Sequence, residues 1–187
     1  MVMKKKQAPL VLVFCAVIAP LTSLAGAQDV SRARATLVTA AARNAGTIHF
    51  EETQNGVRVI LNLSGLPPGI HGFHIHEKGS CDTPDFSGAG DHFNPRKKKH
   101  GFLDPKGPHA GDLPNIAVKE DGTVEDTIVT RLLTLKKGAD NSLLVPGGKS
   151  AVIHKAADDY LTDPAGHSGG RIACGVIEPL VNGSSAQ

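Results

Sequence analysis

Thr53-Gln-Asn-Gly-Val-Arg-Val-Ile-Leu-Asn-Leu-Ser-Gly-Leu-Pro-Pro-Gly-Ile-His-Gly-Phe-His-Ile-His-Glu77 carries three signals in one run. Asn55-Gly56 is the strongest short hairpin signal, because both residues accept the positive φ of a tight turn. Val57, Val59, Leu61 and Leu63 recur at every second position, the period of a strand with one buried face. Pro67-Pro68-Gly69 is a further turn, and Gly72–Glu77 reads as another strand. Alternation places His74 and His76 on one face of it, where two imidazoles can grip one metal ion.

Outward from this run the pattern stays that of short strands. Residues 34–42 and Thr47–Thr53 precede it as strand candidates. After it, Ile116–Glu120, the turn Asp121-Gly122 and Thr123–Leu133 read as a second hairpin. Ser150–His154 and Arg171–Ile177 read as the last two strands. The chain of 187 residues suits one domain, and its 21 glycines and 12 prolines suit many turns. Two stretches break the pattern: Lys78 to about Asn115, and Ala156–Gly170. Both are polar, rich in Gly, and without an apolar period. A structureless run as long as the first is uncommon in a compact domain and is usually functional. Something other than apolar burial must order it. About eight strands and two long loops point to a sandwich or barrel with irregular excursions.

The N-terminus reads as a targeting segment. Lys4, Lys5 and Lys6 precede the largely apolar residues 8–25, and Ala25-Gly26-Ala27 gives a small-residue cleavage site. Residues 1–27 are therefore expected to be a cleaved secretory signal peptide, leaving 28–187 as the mature domain. Loss of three lysines leaves 17 basic and 18 acidic residues, a formal charge of −1. A near-neutral chain gives no support for nucleic-acid binding. No stable membrane anchor is expected. Cys15 leaves with the signal, so Cys81 and Cys174 remain, and in an exported domain they are expected to form one disulfide. Closing a loop of about 90 residues stabilises by roughly 4–5 kcal/mol in the chain-entropy model.

The nine histidines matter more for placement than for number. Beyond His74 and His76, the first long loop supplies His92, His100, His109 and Asp112. Three imidazoles and one carboxylate suit a tetrahedral zinc site. Ligation would also explain how so polar a loop is ordered, since binding free energy becomes folding free energy. His154 ends a distant strand, from which it can rejoin the first pair.

The segments Gly72-Phe-His-Ile-His-Glu77, His92-Phe-Asn-Pro95, His100-Gly101, Gly107-Pro-His-Ala-Gly-Asp-Leu113, Val152-Ile-His154, Ala157-Asp-Asp159 and Gly170-Arg-Ile-Ala-Cys-Gly-Val176 together resemble the copper/zinc superoxide dismutase family, in its bacterial exported form. They occur in the family's order and spacing from about Ala35 to Pro179. The resemblance implies an all-β fold, a Greek-key β-barrel or flattened sandwich of about eight antiparallel strands. It implies copper on His74, His76, His92 and His154, and zinc on His92, His100, His109 and Asp112, with His92 shared. It implies an oxidoreductase in which copper alternates between two oxidation states. Two superoxide anions and two protons then become dioxygen and hydrogen peroxide, and His92 releases and regains a proton. Arg171 is implied as the cation that orients the anion, and Asp158 as the carboxylate linking His74 to His100.

With so small a net charge, any steering must be local, and Lys155, Arg171 and the run Lys97, Lys98, Lys99 are its candidates. The lysine run also reads as a solvated loop face. His71 and His49 read as structural and strand-surface residues. His167 stands where the family more often has asparagine, and reads as a solvated histidine near the channel. The resemblance further implies the periplasm as location, and allows a homodimer, since relatives include monomers and dimers. Two other readings fit parts of the pattern: an exported copper/zinc buffer without turnover, and a structural sandwich binding only zinc. The second needs neither His154 nor Arg171.

Overall fold

The computed structural model describes Met1 and residues 32–180. The targeting segment read at residues 1–27 lies, except for Met1, outside the described residues. Eight strands form one antiparallel sheet that curls into a nearly closed barrel: β1 (Arg32–Thr39), β2 (Asn44–Thr53), β3 (Gly56–Leu63), β4 (Gly69–His76), β5 (Asp112–Val118), β6 (Val124–Thr130), β7 (Ser150–His154) and β8 (Arg171–Pro179). Their order in the sheet is β5-β4-β7-β8-β1-β2-β3-β6. The chain thus crosses the barrel between β3 and β4, and again before β7, which inserts between β4 and β8.

The predicted hairpin at Asn55-Gly56 joins β2 to β3, with Thr53 opposite Gly56. Gly56 has φ of 111°, and a Cβ there would lie 2.1 Å from the Thr130 carbonyl oxygen, so only glycine fits. Val57, Val59, Leu61 and Leu63 are buried, while Arg58 and Asn62 face solvent. They meet Ala33, Ala35, Leu37, Ile48, Phe50 and Ile116 in the main core.

Two predictions need correction. The second hairpin does not form as a ladder: β5 pairs with β4, and β6 pairs with β3. The turn itself exists, closed by Lys119 N–H to Thr123 O at 3.0 Å, but β5 and β6 diverge from it as the two edges of the sheet. Local turn chemistry fixes a reversal of direction. Partners along the strands are decided by which apolar faces meet. The fifth strand also begins at Asp112 rather than Ile116, because Asp112 and Leu113 pair with His74 and Phe73. The first long loop therefore spans 77–111.

Candidate metal centre

β4 is where the barrel wall becomes the site. Phe73 and Ile75 point into the apolar core, and alternation sends His74 and His76 to the other face. That outer face is not open to water: His74 and His76 are both buried. The loops 77–111 and 155–170 fold back over it. β7, adjacent to β4, is buried at all five positions and delivers His154. An isolated bridge from His76 to His92 brings in the first loop.

The seven predicted ligand residues converge in two groups that share His92. Ring nitrogens of His74, His76, His92 and His154 lie within 4.8 Å of one another, as do the ligand atoms of His92, His100, His109 and Asp112. In the first group, neighbours fix which nitrogen of each ring faces inward. His76 Nδ1 pairs with Gly90 O at 2.9 Å and His154 Nδ1 with Gly169 O at 3.0 Å, and their Nε2 atoms face each other at 3.4 Å. His74 Nε2 pairs with Asp158 Oδ2 at 2.8 Å, which leaves Nδ1 for the centre. In the second group, Asp112 Oδ1 lies 2.9 Å from His92 Nδ1 and 3.2 Å from Nδ1 of both His100 and His109. Its other oxygen accepts the backbone N–H groups of Gly101 and His109, each at 2.9 Å, so the carboxylate is held in place.

These residues fit a copper and a zinc ion on direct grounds. His74 Nδ1, His92 Nε2 and His100 Nδ1 are buried without a hydrogen-bond partner, the Asp112 oxygen 3.2 Å from His100 Nδ1 lying outside hydrogen-bond geometry. A buried polar atom left unpaired is costly, and three in one cluster point to ligation. His92 presents one nitrogen to each group, as a shared ligand must. Four imidazoles suit copper, and three imidazoles with a carboxylate suit zinc.

Asp158 accepts from His74 and from His100 Nε2 at 2.9 Å, tying the two groups together as expected. Asn115 clamps it: Asp158 N–H donates to Asn115 Oδ1 at 2.8 Å, and Asn115 Nδ2 donates to Asp158 O at 2.9 Å. Gly166 packs so tightly that a Cβ would lie 1.7 Å from Asp158 Oδ1, so this position must be glycine.

Burial governs the titration of His76, His92 and His154. It lowers His76 from 6.5 to about 2, helped by the neighbouring charges of His92, Arg171 and His154. Burial likewise lowers His154 to about 3, and His92 to about 4 with Asp112 opposing. These rings are neutral at pH 7, the form that binds metal. His100 differs: burial would lower it, but Asp112 and Asp158 outweigh that and raise it to about 9. Asp112 and Asp158 stay ionised well below the usual carboxylate range, because histidine hydrogen bonds overcome the burial that would raise them.

A cavity of about 690 Å³ opens onto His76, His92, His109 and His154, with Arg171 in its wall. The Cys81–Cys174 disulfide forms as expected and spans 93 residues. It pins residues 81–90 to β8, and Arg171 donates both arms of its fork to that segment, at Phe86 O and Gly90 O. Gly90 O therefore positions His76 and Arg171 together. Of the proposed steering lysines, Lys155 and Lys97–Lys99 are exposed and do not line the cavity.

Lys149 does line it, and sequence reasoning missed it. Its Nζ donates to Glu77 O at 2.9 Å and sits 4.7 Å from the Phe93 ring centroid. A single lysine ahead of a strand offers no signal. His71 is structural: its ring nitrogens face His154 O at 2.8 Å and Pro67 O at 2.9 Å. His49 is half-buried on β2. The His167 side chain is 79% exposed, 3.2 Å from Asp159, and outside the cavity wall.

An eight-stranded barrel whose loops close over two histidine groups sharing one ring defines a two-metal β-barrel protein. Residues 44–177 match the family model for copper/zinc superoxide dismutase. The chain is 48% identical over 164 residues to "Superoxide dismutase [Cu-Zn] 1" of Aquifex aeolicus, covering 87% of this chain and 96% of that protein. The crystal structure of a dismutase-like protein from Bacillus subtilis superposes with a TM-score of 0.74 at 45% identity, covering 76% of this chain and 96% of that one. The copper/zinc enzyme of Brucella abortus superposes at 0.64 with 33% identity, covering 79% and 99%. The chain belongs to the copper/zinc superoxide dismutase family. With that membership come its activity as an oxidoreductase that dismutates superoxide, and its cofactors, copper and zinc.

Proposed function

We propose that His74, His76, His92 and His154 hold the copper, that His92, His100, His109 and Asp112 hold the zinc, and that Arg171 guides the substrate anion. The observation that carries this reading is the sharing of His92 between two buried groups that hold three unpartnered ring nitrogens. When bound, copper supplies one-electron exchange with superoxide, and zinc, which has no redox chemistry, supplies fixed charge at the shared ring.

The chain's own residues do the rest. Arg171 is half-buried in the cavity wall and carries a guanidinium that stays charged at any working pH. Its fork is fixed by Phe86 O and Gly90 O, so its charge is already in position when the anion arrives. His92 Nε2, unpartnered in a ring that borders the cavity, is the atom at which a proton is held and passed to the reduced oxygen. Asp158 fixes the tautomers of His74 and His100, which keeps the correct nitrogens aimed inward. Over one cycle two superoxide anions and two protons give dioxygen and hydrogen peroxide.

The same reading places the mature protein, residues 28–187, in the periplasm after removal of residues 1–27 near Ala27. The basic and apolar N-terminal run and the disulfide, which suits an oxidising compartment, support it.

The test is superoxide removal by residues 28–187, disulfide intact, loaded with copper and zinc, beside a zinc-only sample. Rapid removal by the first and none by the second is expected. No turnover at full copper occupancy would leave an exported metal buffer in its place.

A further inference from the structure

The loops that carry His100 and Asp158 meet on the outside of the molecule in a patch the active site does not use. Leu103 is 67% exposed, Leu161 52% and Phe102 43%. They are not scattered. Leu103 N–H donates to Tyr160 O at 2.9 Å, and the Phe102 and Tyr160 rings meet edge to face at 5.7 Å. Tyr160 holds a left-handed φ of 62°, and its hydroxyl accepts Asn115 N–H at 2.7 Å. Gly101, at φ 89°, lies so close that a Cβ would sit 2.0 Å from Tyr160 O. The two loops are thus locked together, and the lock holds apolar side chains out in water. None of the three lines the cavity at the metal centre.

The surroundings are basic. Arg96, Lys97, Lys98, Lys99 and Lys106 fall in the same loop. Arg96 is paired with Asp140 and Lys99 with Asp163, while Lys97, Lys98 and Lys106 form no ion pair among the described residues. Asp159 accepts from Thr162 and lies 3.2 Å from His167, and Asp104 accepts the Lys106 backbone N–H; both keep their charge, so the local excess is three unpaired lysines against two carboxylates. The three apolar side chains expose on the order of 300 Å², well short of the roughly 800 Å² per partner of a stable protein interface. Protruding leucine and phenylalanine beside free lysines match a deformable, anionic, apolar-beneath surface instead.

We propose that this patch docks the protein reversibly on an anionic lipid surface, with Phe102, Leu103 and Leu161 inserted at the headgroup boundary and Lys97, Lys98 and Lys106 on the headgroups. Among the described residues no helix is long and apolar enough to cross a membrane. The copper- and zinc-loaded mature protein is sedimented with phosphatidylglycerol-containing vesicles and with phosphatidylcholine vesicles, at low and high salt. Binding is expected only to the anionic vesicles, weakened by salt. The triple variant Phe102→Ser, Leu103→Ser, Leu161→Ser should bind at least about tenfold more weakly. Its dismutase activity should be unchanged, which shows that the fold survives. Absence of wild-type binding at low salt, or equal binding by an active triple variant, would overturn the proposal. So would a wild-type dimer in sedimentation that the triple variant turns into monomer, since the patch would then be an interface between two copies. Should the triple variant fail to fold, Leu103→Ser alone, the most exposed position, must still weaken binding.

Discussion

β3 and β4 are both eight-residue strands, and they solve the same burial problem in opposite ways. β3 buries Val57, Val59, Leu61 and Leu63 on one face and leaves Arg58 and Asn62 in water. Its stability comes from apolar area removed from solvent. β4 buries both faces: Phe73 and Ile75 inward, His74 and His76 outward under the loops. On that outer face apolar burial is limited to a small cluster of Phe86, Ala89, Val152 and Cys174 beside the histidines. Imidazoles, carboxylates and backbone carbonyls satisfy one another, and three nitrogens are left over. One half of the molecule is held mainly by the solvent's preference, the other mainly by pairing, ligation and the disulfide beside that small cluster.

Stripping both metals with a chelator should therefore abolish activity and unsettle only one half. Hydrogen exchange should speed by orders of magnitude in residues 77–111 and 155–170, while β1, β2 and β3 stay protected. Equal loss of protection in β3 would mean that the two regions are one cooperative unit. The opposite attack is Leu61→Ala. Deleting that fully buried side chain should cost about 2–5 kcal/mol in urea denaturation, with metal content per chain unchanged.

Asp158→Asn strikes the polar half without touching a proposed ligand. Chelator competition should show zinc affinity lowered roughly 10- to 100-fold, as when a carboxylate orienting a ligand histidine is removed. Unaltered affinity would make Asp158 a packing residue. Arg171→Ala should lower turnover about tenfold at low ionic strength and flatten its salt dependence, with metal content intact.

The comparison can also be tested by pH. In the metal-free protein His76, His92 and His154 sit at about 2, 4 and 3, below their ordinary 6.5. The unfolded chain takes up protons that the folded chain refuses, so stability falls as pH drops below about 6.5. His100, raised to about 9, acts the other way: its contribution is complete below 6.5 and fades as pH rises towards 9. Stability of the metal-free protein, followed by denaturant midpoint, should peak near 6.5. A steady rise to pH 9 would contradict the placement of His100 between two carboxylates.

Particular residues differ in how much of their role is encoded locally. Asn55-Gly56 and the period of Val57 to Leu63 located β2 and β3, because turn chemistry and alternation are local. The ordered motifs, matched to a family, named every residue of both histidine groups. Asp112 was placed in a loop although it opens β5, since a buried carboxylate interrupts the apolar period by which a strand is recognised. The turn at Asp121-Gly122 suggested a hairpin whose strands in fact pair elsewhere. Lys149 and Asn115 carried no signal, for each acts through a contact with residues far along the chain.

What the sequence determined by itself is therefore whatever a few neighbouring residues can encode: strand period, turns, cysteine count and the spacing of histidines. The tertiary structure alone decided which strands are edges and which nitrogen of each ring faces inward. It also decided that Gly90 O serves both His76 and Arg171, and that Leu103 is locked outward by Tyr160. Those outcomes depend on closing the barrel, which brings residues 14 to 84 positions apart within hydrogen-bonding distance. No local propensity reports on such encounters.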